Sequence, residues 1–235
     1  MKTDNPAAHA PTSSLKAPVK VSANPEVWHE SQNYELTFWK TRWPYRDWPL
    51  PELQKLRLED AAWLLKNLGF NRASPQKWDG FAGTVLEVGC GPLGFFELTE
   101  GVDVTANDSL MAAYAREIPF STLGRRGSAN YITQGVQDIT ETYDFVVCSN
   151  VLDHTADWME FLELLVNRVK PAGGQLLLVT DTRGNPIPGH TQVFSPGQLM
   201  RALKWMNLDI LYHRTDDKSQ AGHCDHQVFV RAKLR

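Results

Sequence analysis

The sequence predicts one α/β domain: a doubly wound, mostly parallel seven-stranded sheet with an antiparallel last strand and an N-terminal aromatic helical cap. From residue 84 onward, short apolar runs alternate with helical patterns, as they do in sheets covered by helices on both faces. The last two strand-like runs are joined by a polar loop, residues 216–225, which is too short for a crossover helix. These two strands should therefore pair antiparallel. A chain of 235 residues is long enough for one domain of this kind.

The N-terminal part of the chain divides by composition. Residues 1–24 are rich in Pro, Ala, Ser and Lys and predict a disordered tail. Residues 25–80 predict a helical cap, because an aromatic-rich stretch precedes a run with leucines at helical spacing over residues 52–68. The aromatic residues could cover the sheet edge or close over a substrate as a lid. Their density favours a lid that also packs on the sheet edge. The main domain follows at residues 81–235.

The elements of the main domain follow from local patterns. The strands are apolar runs of strand-forming residues, and the helices show apolar positions three or four residues apart. The last helix should begin after Ser195, a favoured N-cap residue followed by proline. Strands are predicted at residues 84–88, 102–107, 130–134, 143–150, 175–181, 208–214 and 226–235, and helices at 94–100, 109–118, 156–170 and 196–207.

Composition excludes several classes of function. A formal net charge of −3 gives no general attraction to nucleic acid or to an anionic membrane. Basic residues of the cap, such as Lys40, Arg42 and Arg46, are interspersed with acidic ones and form no basic stripe. No apolar run approaches the ~20 residues of a membrane span, and the N-terminus lacks a signal peptide. We therefore expect a cytoplasmic protein; the oligomeric state stays open.

The stretch VLEVGCGPLG, residues 85–94, has the G-x-G-x-x-G spacing of loops that hold dinucleotide pyrophosphates. Two of its residues argue against a phosphate ligand. Glu87 would repel it, at roughly 3 kcal/mol for each like-charge pair ~5 Å apart at an effective dielectric of ~20. Pro92 removes one of the N–H donors of such a loop. The loop therefore predicts a cationic ligand, with glycines that let the backbone pass close to it.

This E-x-G-x-G segment resembles the class I S-adenosylmethionine-dependent methyltransferases, which have a Rossmann-like fold, and later segments share the resemblance. The Tyr143–Asp144 pair that begins the fourth strand and the turn VKPAGG before the fifth are similar to family motifs. The resemblance implies S-adenosylmethionine as cofactor, and the acidic residue after the second strand would hold its ribose hydroxyls. It assigns cofactor contacts to Glu87, Gly89, Cys90, Gly91, Asp108, Ser109, Val136, Gln137, Asp138, Asn150 and Val151.

Two positions depart from the family pattern. Leu93 stands where the family has its third loop glycine, and Gly94 is displaced by one residue. Gly135 stands where a carboxylate often lies near the adenine amino group, a role that Asp138 could take.

Candidate acceptor residues lie after the fourth and fifth strands, at the sheet edge where open α/β sheets bind ligands. His154 suits a general base at neutral pH, although it could instead cap the following helix or line the cofactor site. His190, in a long Gly/Pro loop, is the other candidate base. The predicted substrate residues are Asp153, Asp181, Tyr34 and Trp39.

His223, Cys224, Asp225 and His226 are all possible metal ligands. They lie in the last hairpin, remote from the first and fourth strands, and therefore predict a solvated turn without a metal.

Residues 149–158 and 189–203 loosely resemble methyltransferases of sugars and other secondary metabolites. The predicted function is O-methylation of a small hydroxylated acceptor. N- or C-methylation of a small molecule, an NAD(P)-dependent oxidoreductase and a cofactor-binding protein without activity are the alternatives.

Overall fold

The computed structural model describes residues 25–41, 47–118, 129–218 and 224–235. The predicted tail, residues 1–24, lies outside this range, as do Arg42, Arg46 and His223. Within the described part of the chain, no helix is long and apolar enough to cross a membrane.

Two helices and a small hairpin precede the main sheet. Helix α1 spans Pro25–Thr41, helix α2 spans Leu50–Asn67, and the hairpin joins β1 (Arg72–Ser74) to β2 (Lys77–Trp78). Helix α2 has Pro51 in its first turn, where a backbone N–H has no partner within the helix, so that its absence loses no hydrogen bond. Its buried Leu64 and Leu65 pack on the sheet in one core with Phe70, Trp78 and Phe81. The helix therefore shares the hydrophobic core of the sheet.

The main sheet confirms the predicted fold class. Its seven strands have the order β5-β4-β3-β6-β7-β9-β8. The first five strands in this order are parallel, whereas β9 pairs antiparallel with both β7 and β8. The strands span Gly83–Val88 (β3), Val102–Asn107 (β4), Asn130–Ile132 (β5), Phe145–Ser149 (β6), Gln175–Thr182 (β7), Leu208–Asp217 (β8) and His226–Leu234 (β9).

Three further helices cover the sheet: α3 (Met111–Glu117), α4 (Trp158–Val166) and α5 (Pro196–Trp205). The N-terminus of α5 is the one predicted, since Ser195 and Gln198 form a reciprocal capping box. Helix α4 is capped at its N-terminus by Asp157, whose carboxylate accepts hydrogen bonds from two backbone N–H groups. These caps fix where each helix leaves the carboxyl edge of the sheet.

The helix predicted at residues 94–100 is wrong; the chain there forms turns. Gly94 adopts a left-handed backbone with φ of +68°, and the next N–H, that of Phe95, is bonded to the Glu87 carboxylate. Phe96 is fully buried and packs against Phe81. The loop is thus held by the end of the preceding strand instead of by helical hydrogen bonds.

Strand β7 shows how both faces of the sheet are covered. Leu176 and Leu178 pack in the core beneath α4 and α5, whereas Leu177 and Val179 pack in the core beneath α2. All four are fully buried, each contributing roughly 1.5–3 kcal/mol of transfer free energy. This rigid double-sided core holds the carboxyl ends of β3, β4, β6 and β7 in place.

Candidate cofactor and active site

A cavity of about 570 Å³ opens at the carboxyl ends of β3, β4 and β6, with helix α1 as one wall. This is where open α/β sheets bind ligands, and the volume lies within the range of small-molecule sites. The predicted residues in its wall are Gly89, Asp108, Ser109, Val136, Gln137, Asn150, Val151 and His154.

The charge of the wall is negative. Glu35, Asp108, Asp157 and Glu160 line the cavity, and no Lys or Arg is among the described residues that do so. A pyrophosphate would meet carboxylates and no cationic partner, at a cost of several kcal/mol in a partly buried site. The cavity therefore fits a cation such as a sulfonium, as the predicted cofactor requires.

The glycine-rich loop brings backbone close to its neighbours. Gly89 has φ of +69°, and a Cβ placed there would lie 2.2 Å from Cγ2 of Val151. Gly91 has φ of +64°, and a Cβ would lie 3.1 Å from the Trp39 ring. Glycine is required at Gly89 by both backbone conformation and space. Leu93, where the family has glycine, is buried beneath α1 and α2.

Glu87 lies behind this loop. Both of its carboxylate oxygens accept the Phe95 N–H, at 2.7 and 2.9 Å, and burial raises its pKa to about 7. The side chain is 2% exposed and is not part of the cavity wall. The structure therefore places Glu87 to shape the loop, and the negative charge that faces the cavity comes from other residues.

Asp108 follows β4 and lines the cavity. Its Oδ2 accepts the Gly91 N–H at 3.0 Å and its Oδ1 accepts the Leu110 N–H at 2.8 Å. Burial raises the pKa of the carboxyl to about 6. The neighbouring Ser109 hydroxyl donates to Gln32 of α1 at 2.8 Å. The carboxylate is thus held rigidly beside the glycine loop, and α1 is tied to the same turn.

The segment after β5 places its members differently. Val136 and Gln137 line the cavity. The Gln137 side chain folds over Gly135, where a Cβ would lie 2.2 Å from Nε2. Asp138 is exposed and accepts a 3.3 Å hydrogen bond from the Gln137 amide. The Asp138 carboxylate therefore lies outside the cavity wall. The absence of a side chain at Gly135 leaves room for the Gln137 side chain in that wall.

Asn150, directly after β6, has a left-handed backbone with φ of +55°. Outside glycine this conformation is uncommon, and asparagine tolerates it best. The N–H of Asn150 is bonded to Val179 O at 2.8 Å, and both Asn150 and Val151 line the cavity. Local strain of this kind clusters at functional sites.

The two candidate histidines meet around one carboxylate. Asp153 is fully buried, and its Oδ2 lies 2.6 Å from Nδ1 of His190 and 3.0 Å from Nη2 of Arg183. Its Oδ1 lies 4.0 Å from Nε2 of His154. The two imidazole rings are 4.0 Å apart between centroids. Of these four residues, His154 is the one that forms part of the cavity wall.

Burial and charge set the protonation of this cluster. Burial alone would raise the pKa of Asp153, but the His190 hydrogen bond and the electrostatic interactions with His154, His190 and Arg183 bring it below its ordinary value. Burial lowers the pKa of His154, an effect that the Asp153 carboxylate opposes. The carboxylate is therefore ionised and His154 is neutral near pH 7, the state that a base requires.

Asp181 lies to one side of the cavity. It is 4% exposed, accepts the Gln227 amide at 3.2 Å and lies 3.9 Å from Arg183. Burial raises its pKa. This geometry gives it a partner on β9 and none in the cavity wall.

Tyr34 and Trp39 both lie on α1 and contact loops of the site. A Cβ at Gly189 would lie 2.4 Å from the Tyr34 ring, next to His190 in sequence. The Trp39 ring covers Gly91. Helix α1 thus touches the glycine loop and the loop that carries His190.

One group among the described residues has the spacing of metal ligands: Asp153, His154 and His190 have ligand atoms within 4.8 Å of one another. The Arg183 guanidinium already contacts Asp153 Oδ2 and lies 3.2 Å from His190 Nδ1. A dication there would face this fixed positive charge, so we assign the cluster no metal.

Glu35 and Arg183 are among the site residues that sequence patterns alone did not identify. Glu35 lines the cavity from α1, and Arg183 lies beneath it at the end of β7. For Glu35 a signal was present, because Trp28, Ser31, Gln32 and Glu35 share one helical face. For Arg183 the sequence contains no such signal, because its partner Asp153 lies 30 residues earlier in the chain.

Comparison with known proteins agrees with this geometry. A family profile described as a methyltransferase domain matches residues 69–213. A ubiquinone biosynthesis O-methyltransferase of Rickettsia bellii is 33% identical over 93 residues, 38% of each chain. The mitochondrial ubiquinone biosynthesis O-methyltransferase of Saccharomyces cerevisiae is 30% identical over 111 residues, 43% of this chain and 34% of its own. The aligned part thus spans little more than a third of these relatives.

Solved structures share the fold over most of the chain. The N-methyltransferase NodS of Bradyrhizobium japonicum, in complex with S-adenosylhomocysteine, has a TM-score of 0.57 at 17% identity and covers 88% of this chain and 98% of its own. The 1,6-didemethyltoxoflavin-N1-methyltransferase of Burkholderia thailandensis has a TM-score of 0.58 at 15% identity and covers 97% and 99%. At these identities the likeness establishes the fold.

Proposed function

The chain belongs to the class I S-adenosylmethionine-dependent methyltransferases, and on that premise we propose that it methylates a hydroxyl oxygen of a small molecule, with His154 as base. The observation that carries the proposal is the buried Asp153 carboxylate. Its Oδ2 lies 2.6 Å from His190 Nδ1 and its Oδ1 lies 4.0 Å from Nε2 of His154, and His154 forms part of the cavity wall.

We place the cofactor in the cavity by its chemistry. When bound, S-adenosylmethionine supplies an electrophilic methyl group on a sulfonium. The Asp108 carboxylate, fixed by two backbone N–H groups, suits the ribose hydroxyls. Val136 and Gln137 suit the adenine, while Asn150 and Val151 suit the methionine end.

Position favours His154 over His190 as the base. A general base must come within hydrogen-bond reach of the proton it removes, and this criterion precedes the pKa. His154 forms part of the cavity wall, whereas His190 lies behind it with Nδ1 engaged by Asp153. We therefore assign His154 as base and Asp153, His190 and Arg183 as the groups that position it.

Asp153 can divide its two oxygens between the imidazoles. Oδ2 is occupied by His190 and Arg183, while Oδ1 and His154 Nε2 are both buried without a hydrogen-bond partner among the described residues. Hydrogen bonds of catalytic groups are often long before substrate binds. If Nε2 carries the proton of neutral His154 and donates toward Oδ1, Nδ1 is the atom that accepts the acceptor's proton. The carboxylate then stabilises the resulting imidazolium.

The choice of oxygen rests on this base and on the relatives. A hydroxyl keeps its proton at neutral pH, and proton removal by a positioned base is worth ~10²–10⁴-fold in rate. A neutral amine attacks through its own lone pair and gains less from a base. The two curated relatives described above are both named O-methyltransferases. Helix α1, with Tyr34 and Trp39, would close over the acceptor.

The test is a panel of hydroxylated sugars, phenols, carboxylic acids and amines, incubated with cofactor labelled in its methyl group. We expect label on a hydroxyl oxygen. At saturating cofactor, His154→Ala should lower turnover ~10²–10⁴-fold and abolish the fall of rate at acid pH. That acid limb should lie below the ordinary histidine value of ~6.5, because burial lowers the pKa of His154.

His213→Ala is the matched control, since His213 is exposed on β8. If His154→Ala keeps wild-type turnover and pH profile while His190→Ala loses both, the base is His190. Transfer to amines alone would contradict the assignment of an oxygen acceptor.

A further inference from the structure

Helix α1 presents one acidic side chain to the cavity. Glu35 lines it together with Trp28, Ser31 and Gln32, one and two turns earlier on the same face. The register of the helix is set at two points: the Gln32–Ser109 hydrogen bond and the packing of Trp39 over Gly91. The position of Glu35 in the wall is therefore a fixed property of the docked helix.

The orientation of the Glu35 carboxylate is fixed as well. The indole N–H of Trp39 donates to Glu35 Oε1 at 2.7 Å, one helical turn away. Burial raises the pKa of the Glu35 carboxyl, whereas a cation in the cavity would favour its ionised form. Glu35 lines the same cavity as Asp108, the residue proposed for the ribose, and His154, the residue proposed for the acceptor.

This shared wall has a chemical meaning. In methyl transfer the acceptor, the methyl carbon and the sulfur lie in line, and the ribose is bonded to the same sulfur. A carboxylate in the wall that holds both the ribose and the acceptor is therefore close to the sulfonium. No described Lys or Arg lines the cavity to neutralise it.

We propose that Glu35 is the counter-ion of the sulfonium, and that it makes this protein bind S-adenosylmethionine more tightly than S-adenosylhomocysteine. The two ligands share the ammonium, carboxylate, ribose and adenine and differ in the sulfur's charge. When the methyl leaves, the sulfur becomes neutral and the attraction to α1 is lost. Spent cofactor is then held less firmly by the helix that covers it. The proposal rests on the proposed placement of the cofactor, and not on the identity of the acceptor.

The test is titration calorimetry of both ligands with wild type, Glu35→Gln and Glu30→Gln. Glutamine keeps an oxygen for the Trp39 N–H and removes only the charge. Glu30 is exposed on the same helix and serves as the matched control. Glu35→Gln should weaken S-adenosylmethionine about tenfold or more and S-adenosylhomocysteine less than about threefold, as loss of one charge-assisted contact predicts. Glu30→Gln should change neither, and Glu35→Asp should restore part of the loss.

Three results would overturn the proposal, and Asp108→Asn distinguishes the last two of them. If Glu35→Gln weakens both ligands equally, Glu35 serves the shared ammonium and not the sulfur. If Glu35→Gln changes neither ligand while Asp108→Asn weakens both, the cofactor is placed correctly and Glu35 has no part in binding it. If neither variant affects either ligand, the placement of the cofactor itself is wrong. Glu35→Gln should unfold at or above the wild-type temperature, because burial raises the pKa of Glu35 and glutamine carries no charge to bury.

Discussion

Asp108→Asn should weaken cofactor binding without destabilising the protein. The buried carboxyl has its pKa raised from 3.8 to about 6. At ~1.4 kcal/mol per unit, ionising it costs the folded state about 3 kcal/mol at neutral pH. Because the pKa is raised on folding, the folded state binds this proton more tightly than the unfolded state does. The contribution of Asp108 to the free energy of unfolding therefore falls as pH rises from 3.8 to about 6.

Asparagine removes that penalty but keeps one acceptor oxygen. The N–H groups of Gly91 and Leu110 both donate to the wild-type carboxylate. In the variant one of them would face the amide NH₂ and lose its acceptor, at a cost of ~1–3 kcal/mol. The free energy of unfolding at pH 7 should therefore change by between zero and a gain of about 2 kcal/mol. Affinity should fall by the ~1.5–3 kcal/mol of a hydrogen bond to a charged group, about tenfold or more.

The assay pairs thermal unfolding with calorimetry of S-adenosylhomocysteine, whose neutral sulfur limits interference from Glu35 and His154. In wild type the affinity should fall about tenfold between pH 7 and pH 5, because the carboxyl with a pKa of about 6 is then mostly protonated. In Asp108→Asn this dependence should disappear. Asp103→Asn, exposed on the same strand, is the control. A variant that unfolds more easily yet binds as wild type would show that Asp108 is structural.

Two further substitutions address the loop and the buried charges. Gly89→Ala should weaken the binding of S-adenosylmethionine and S-adenosylhomocysteine more than about tenfold. The added Cβ would lie 2.2 Å from Val151, and a left-handed alanine costs a further ~1–2 kcal/mol. The control is Gly80→Ala, where φ is +73° and the space is open, so that thermal unfolding measures the backbone cost alone. Arg183→Met should lower the free energy of unfolding by about 3–5 kcal/mol in denaturant titration, because it leaves the Asp153 carboxylate buried without its cation; a change below 1 kcal/mol would show that the His190 contact alone compensates that charge.

The regular elements were predictable because their patterns are local. All seven strands of the main sheet and the start of α5 at Ser195 agree with the sequence prediction. The helix predicted at residues 94–100 was wrong, because a tertiary bond to Glu87 outweighs the helical pattern of GFFELTE. The same bond explains why Glu87 does not face the cavity, although its position in the motif was recognised.

The chemical core of the site was only partly predictable. His154 and His190 were both named from their place at the sheet edge, but their common partner is Asp153, 37 residues before His190. The depth at which that carboxylate is buried depends on the long loop after β7, which sequence periodicity does not fix. The face of α1 that lines the cavity likewise depends on how the helix docks, and Glu35 became visible only in the assembled structure.

The position of β9 between β7 and β8 has a consequence for biosynthesis. While the chain is being made, β7 is completed some 50 residues before the strand that pairs with it along its whole length, from Gln175 to Thr182. Until then the backbone N–H and C=O groups along this edge of β7 are unpaired, and β8 has no strand to join. The sheet therefore closes only after residues 226–234 have left the ribosome, when the β8–β9 hairpin can dock as a unit. We expect nascent chains stopped before that point to aggregate or to require a chaperone.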